Sequence, residues 1–181
     1  VFVRVDLLEA DLNEFERMSL LPQQAQTAGS NESTTALDSM VGKKAAPIET
    51  NLLDGTSFNL AEYGGKVVVL DFWATWCGPC IKALPQLIES ISDFAPEEVV
   101  LVAVNQGENK KRITQFLQQK KLMDLTVAMD KNQSIGHDYQ VQGIPKTVVI
   151  DQKGIIRHVE VGFAERTAFR IKSKISKLIE K

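Results

Sequence analysis

Lys66 to Phe72 reads Lys-Val-Val-Val-Leu-Asp-Phe, a run apolar and β-branched enough to suit a parallel strand buried on both faces. The next stretch, from Gly78 to about Phe94, has the apolar spacing of a helix, and both cysteines of the chain, Cys77 and Cys80, lie at the junction in Trp-Cys-Gly-Pro-Cys. A helix start leaves backbone N–H groups unpaired and carries the positive end of the dipole. Both favour a thiolate, so Cys77 is expected to have a depressed pKa and to be nucleophilic. Cys80 falls one turn on along the same face, within reach of a disulfide. Pro79 is compatible with the first turn, where its missing donor would be unpaired anyway.

A Cys-x-x-Cys pair is also half of a zinc site, but the chain has no second pair, and its two histidines, His137 and His158, lack metal-ligand spacing. An inert structural disulfide would constrain the unfolded chain little, because the loop it closes is so short. A redox-active pair is the stronger reading, with no metal and no bound cofactor. Of the aromatic neighbours, Trp76 is expected exposed beside Cys77 and Trp73 packed beneath it, while His137 and His158 are expected on the surface.

Alternation continues along the chain. A hairpin around Asp54-Gly55 comes first, then strands at 66–72, 99–104, 125–129, 147–151 and 155–161, with helices at 78–94 (kinked at Pro85), 110–121, 133–139 and a closing amphipathic helix. This order predicts an α/β fold with a mixed central sheet flanked by helices. Parallel strands precede a final antiparallel pair joined by the turn at Gln152-Lys153-Gly154.

Upstream the pattern changes. Leu8, Leu12 and Phe15 recur at helical spacing in residues 1–22, which read as the tail of an upstream segment. Residues 23–40 are rich in Gln, Ser, Thr, Ala and Asn and read as a polar linker, leaving 41–181 as the domain. The chain begins at Val1 without a signal-peptide pattern and is expected to be a fragment or a processed form. A net charge of −2 gives no electrostatic footprint for nucleic acid. The basic residues after Arg166 alternate with Phe169, Ile171, Ile175 and Leu178, as on the solvated face of a helix.

From Val41 onward the chain resembles the thioredoxin-like thiol–disulfide oxidoreductases. Trp76-Cys77-Gly78-Pro79-Cys80 is similar to their active site, and Asp71 stands at the position of their buried acid. Pro85 sits where their active-site helix kinks, Ile144-Pro145 resembles the cis-proline loop, and Gly162 resembles the glycine that lets substrate approach. The stretch from Ala103 to Tyr139, with an inserted helix and strand, is closer to the envelope-anchored TlpA- and ResA-like branch, itself related to the AhpC/TSA redoxins. The resemblance implies a thioredoxin-like fold with Cys77 and Cys80 catalytic and Asp71 taking the proton from Cys80. It implies a substrate surface of Trp76, Gly78, Pro79, Ile144, Pro145 and Gly162. It also implies a disulfide-containing protein substrate, an upstream thiol protein as electron donor, a monomer, and an extracytoplasmic location with any membrane tether upstream of the chain. Ala83 stands where apocytochrome c reductases carry glutamate, and strand 99–104 lacks the lysine that partners the acid in thioredoxin, so cytochrome maturation is not implied. The Gly-Pro dipeptide resembles reducing members. Two rivals remain: a peroxiredoxin-like peroxidase using Cys77 alone, and a binding module that keeps the fold without redox cycling.

Overall fold

The computed structural model describes residues 39–179, so the expectations for the segment 1–22 and for most of the linker fall outside the described residues. The order is β1 (Glu49–Asn51), β2 (Ser57–Asn59), a 3-10 turn (Leu60–Tyr63), β3 (Val67–Trp73), α1 (Gly78–Ile91), β4 (Val99–Gln106), α2 (Lys110–Lys120), β5 (Val127–Asp130), α3 (Ser134–Asp138), β6 (Lys146–Ile150), β7 (Ile156–Val161) and α4 (Thr167–Ile179). Five strands form one sheet in the order β5-β4-β3-β6-β7. The first three are parallel, while β6 runs antiparallel to β3 and β7 antiparallel to β6. Alternation and length thus led to the right mixed sheet. Boundaries shifted where sequence pattern is weakest: α1 ends at Ile91 rather than near Phe94, and β4 extends to Gln106 because Asn105 and Gln106 pair with β5.

The central strand β3 is buried along its whole length, and its period-two alternation sorts the core. Val68, Leu70 and Phe72 face one way, against Ile48, Phe58, Tyr139, Val148 and Ile150. Val67 and Val69 face the other, under Leu87 and Ile91 of α1 and Ile171 and Ile175 of α4. Trp73 shares that second face with Cys80, Leu84, Ile113 and Leu117. Each fully buried Val, Leu or Phe contributes about 1.5–3 kcal/mol, so β3 anchors both faces of the core. Asp71 lies on the second face by the same alternation, between Val69 and Trp73.

Both sheet edges carry backbone contacts, along β5 and at the start of β7, which satisfy some of the donors that invite strand addition. On the β5 side the hairpin β1–β2 approaches, with Leu53 N–H donating to Val127 O at 2.8 Å and Thr50 Oγ1 to Met129 O at 2.6 Å. On the β7 side Gly42 N–H donates to Ile156 O at 2.8 Å and Ile156 N–H to Lys43 O at 2.9 Å. Met40, which composition assigns to the linker, is buried in the core, so the packed chain starts slightly earlier than residue 41. Lys146 is also buried. Its Nζ donates to the carbonyls of Tyr139 at 2.7 Å and Gln140 at 2.9 Å, fixing the loop that leads into Pro145.

Candidate active site

Cys77 is the N-cap of α1, with extended backbone, and Cys80 lies three residues on in the first turn. The two form a disulfide with a Cα–Cα separation of 5.2 Å. The Cys80 backbone N–H donates to Cys77 Sγ at 3.2 Å, the bond an N-cap side chain makes to a donor the helix leaves free. Both cysteines are buried, Cys77 at 4% exposed and Cys80 at 0%. What exposure the pair keeps is on Cys77, between the exposed Trp76 and Gly78.

Four elements converge around this pair. Trp76, 63% exposed, stands next to Cys77 in the turn after β3, while Trp73 is wholly buried and packs against Phe116. Gly78 and Pro79 are exposed at the helix start. The Ile144–Pro145 peptide is cis, and the Ile144 carbonyl oxygen lies 3.7 Å from Cys77 Sγ. Gly162 comes directly after β7 at φ +81°, a conformation glycine adopts without penalty, and donates its N–H to Pro145 O at 2.8 Å. Pro145 and Gly162, far apart in sequence, thus form one ledge beside the accessible sulfur.

Asp71 is 1% exposed. Thr147 Oγ1 donates to its Oδ1 at 2.9 Å, across the antiparallel β3–β6 pair where the two residues are direct partners. Its Oδ2 has no partner and, among the described residues, no cation pairs with it. Asp71 also borders a cavity of about 10 Å³, with room for at most one water molecule, lined in part by Ala83, Pro145, Gly162 and Thr167. Burial pushes the Asp71 carboxyl up to about 7, and the Thr147 hydrogen bond holds it back. Thr147→Val removes a donor to the charged form and should move the Asp71 titration upward, read by carbon NMR of the labelled carboxyl. An unchanged midpoint would show that the hydroxyl does not reach the carboxylate in solution.

Three features were not visible in the sequence pattern. Thr147 is the side chain that donates to Asp71, and its distance of two residues from Pro145 on a strand was the available signal. Glu108 was missed: it lies beyond the β4 pattern, yet its carboxylate binds the Thr75 backbone beside Trp76. His158 is half-buried and lies 3.1 Å from Glu160, whereas His137 is exposed. Among the described residues, no cluster of three or more His, Cys, Asp or Glu is placed to hold a metal ion.

A strand-to-helix junction carrying Cys-x-x-Cys, faced by a cis-proline loop on a mixed sheet, defines a thioredoxin-like thiol–disulfide oxidoreductase. The chain belongs to the AhpC/TSA family, whose family model matches residues 41–159. Among curated relatives it is 34% identical over 123 residues to the thioredoxin-like protein YneN of Bacillus subtilis, covering 67% of this chain and 71% of that protein. It is 31% identical over 122 residues to the thiol-disulfide oxidoreductase ResA of Geobacillus thermodenitrificans, covering 67% of this chain and 70% of that one. A crystal structure described as a thiol:disulfide interchange protein DsbE from Chlorobium tepidum superposes with a TM-score of 0.71 at 29% identity, over 77% of this chain and 97% of the other.

Proposed function

We propose that this thiol–disulfide oxidoreductase works as a reductant of protein disulfides, with Cys77 as nucleophile, Cys80 as resolving thiol and Asp71 as proton acceptor. The observation that carries the reading is the Cys77–Cys80 pair at the start of α1, with its residual exposure on Cys77. In the dithiol state the Cys77 thiolate attacks one sulfur of the substrate disulfide, forming a mixed disulfide and releasing the other sulfur as a thiolate. The donor at 3.2 Å and the helix start favour that thiolate. Cys80 then gives its proton to Asp71 and attacks Cys77 Sγ. The Cys77–Cys80 disulfide forms and the second substrate thiolate leaves, so two electrons pass from the enzyme dithiol to the substrate. A carboxyl near 7 is matched to that proton transfer at neutral pH. A donor thiol protein restores the dithiol.

Trp76, Gly78, Pro79, Ile144, Pro145 and Gly162 make the surface on which the substrate strand lies, an assignment supported by the cis-proline ledge. In this reading the catalytic domain of 41–181 extends back to Met40, with a linker from 23 before it and 1–22 part of an upstream segment. Kinship to ResA supports work outside the cytoplasm with any tether upstream of the catalytic domain. Among the described residues no helix is long and apolar enough to cross a membrane.

Equilibration of the Cys77–Cys80 couple with glutathione tests the direction. A reductant should lie at or below about −220 mV, and each ~30 mV above that value corresponds to about 1.4 kcal/mol toward the oxidant role. A value near that of strong oxidants, about −120 mV, would overturn the reductase direction. Peroxide turnover that needs Cys77 and not Cys80 would instead point to a peroxidase.

A further inference from the structure

Glu108 is buried, and each of its carboxylate oxygens has two partners. Thr75 donates its backbone N–H to Oε2 at 2.7 Å and its hydroxyl to Oε1 at 2.5 Å. Asn105 Nδ2 donates to Oε2 at 2.8 Å, and Arg112 Nε lies 3.0 Å from Oε1. Arg112 Nε also donates to Thr75 Oγ1 at 3.0 Å. The guanidinium is therefore held at its inner nitrogen by the loop that carries Trp76 and Cys77. Its two terminal amino groups have no partner among the described residues, and the side chain is 59% exposed.

Chain geometry sets the position of this group. Two peptide units separate Thr75 from Cys77, a Cα span of at most about 7.6 Å, so the residue that holds Nε belongs to the short turn that carries Trp76 and Cys77. Helix stability does not account for the charge. The first turn of α2 holds Lys110, Lys111 and Arg112 and no acid, against the preference of the helix dipole.

We propose that Arg112 is a specificity-determining residue that receives a carboxylate of the protein substrate next to the disulfide under attack. The inference rests on the disulfide-exchange reading of Cys77 and narrows its substrate class to disulfides flanked by Asp or Glu. A guanidinium pairs with a carboxylate through two parallel N–H bonds, which a lysine cannot reproduce. Prior fixing of Nε by Glu108 and Thr75 lowers the ordering cost of that contact.

Two peptide disulfides test it, identical except for Asp or Asn beside the attacked cysteine, with a third carrying Lys there. The wild-type protein should favour the Asp peptide over the Asn peptide by about three- to fivefold in kcat/KM, the range of a partly exposed ion pair. The gain should appear in KM and shrink at high ionic strength. In Arg112→Met the ratio should fall to one, and in Arg112→Glu the Lys peptide should become the preferred one. Each ratio is taken within a single protein, so a general loss from loosening Thr75 cancels. Equal rates for Asp and Asn peptides in the wild type, or a ratio surviving in Arg112→Met, would overturn the role of Arg112 while leaving disulfide exchange intact. Failure to reduce any of the peptides would overturn the reductant reading, and the specificity with it.

Discussion

Cys80→Ser should turn the protein from a catalyst into a trap. The accessible Cys77 still attacks substrate, but the mixed disulfide then lacks the buried thiol that resolves it. Multiple turnover should fall by about a thousandfold or more, on the scale of losing a covalent step, while a one-to-one adduct accumulates. Non-reducing gels and intact-mass spectrometry of the adduct measure this. Cys77→Ser should give neither turnover nor adduct, because Cys80, at 0% exposure, cannot be reached from outside. An adduct of equal yield in Cys77→Ser would reverse the assignment of the two sulfurs, and undiminished turnover in Cys80→Ser would remove the resolving step altogether.

The second large effect belongs to Asp71, where activity and stability should move in opposite directions. In the proposed mechanism Asp71→Asn removes the acceptor for the Cys80 proton and should slow reduction near pH 7 by about a hundredfold, within the usual range for a lost general base. The same change should stabilise the fold at alkaline pH. The native carboxyl sits near 7 against an ordinary 3.8, so the native state holds this proton more tightly than the unfolded chain does. Stability is therefore highest below the unfolded value, declines as pH rises from there, and has lost the full amount above the folded value. A shift of roughly three units corresponds to at most about 4 kcal/mol, which Asp71→Asn would recover at pH 8 and would not show at pH 3.5. Denaturant unfolding of both proteins across that window is the check. A stability difference that does not change with pH would mean that Asp71 is not the titrating group.

Thr147 explains why an acid can stay at that position without a lysine. It donates one hydrogen bond, enough to orient the carboxyl and too little to hold it ionised at low pH, whereas a buried cation would pull the carboxyl well down. That balance could not be read from the residues alone, because it depends on Asp71 and Thr147 being opposite each other in the β3–β6 register. Glu108 shows the same limit from another side. Its neighbours in sequence are polar loop residues, and only the return of α2 against the turn after β3 turns a loop acid into a buried clamp on Thr75. Met40 likewise looked like linker by composition, yet its side chain meets the core where Lys146 reaches inward.

Features that depend on short-range periodicity and local backbone chemistry are legible in the residues alone. The continuous β-branched run set β3 as a strand buried on both faces. Helical spacing after Cys77 put that cysteine at a helix start, and strand order made the sheet mixed. Contacts between elements far apart in the chain come only from the packed fold: Ile144 O lying 3.7 Å from Cys77 Sγ, Thr147 on Asp71, and Arg112 Nε on Thr75. The physical reason is that such contacts join residues separated by up to 76 positions, and no local propensity encodes which strand residues come to stand opposite each other.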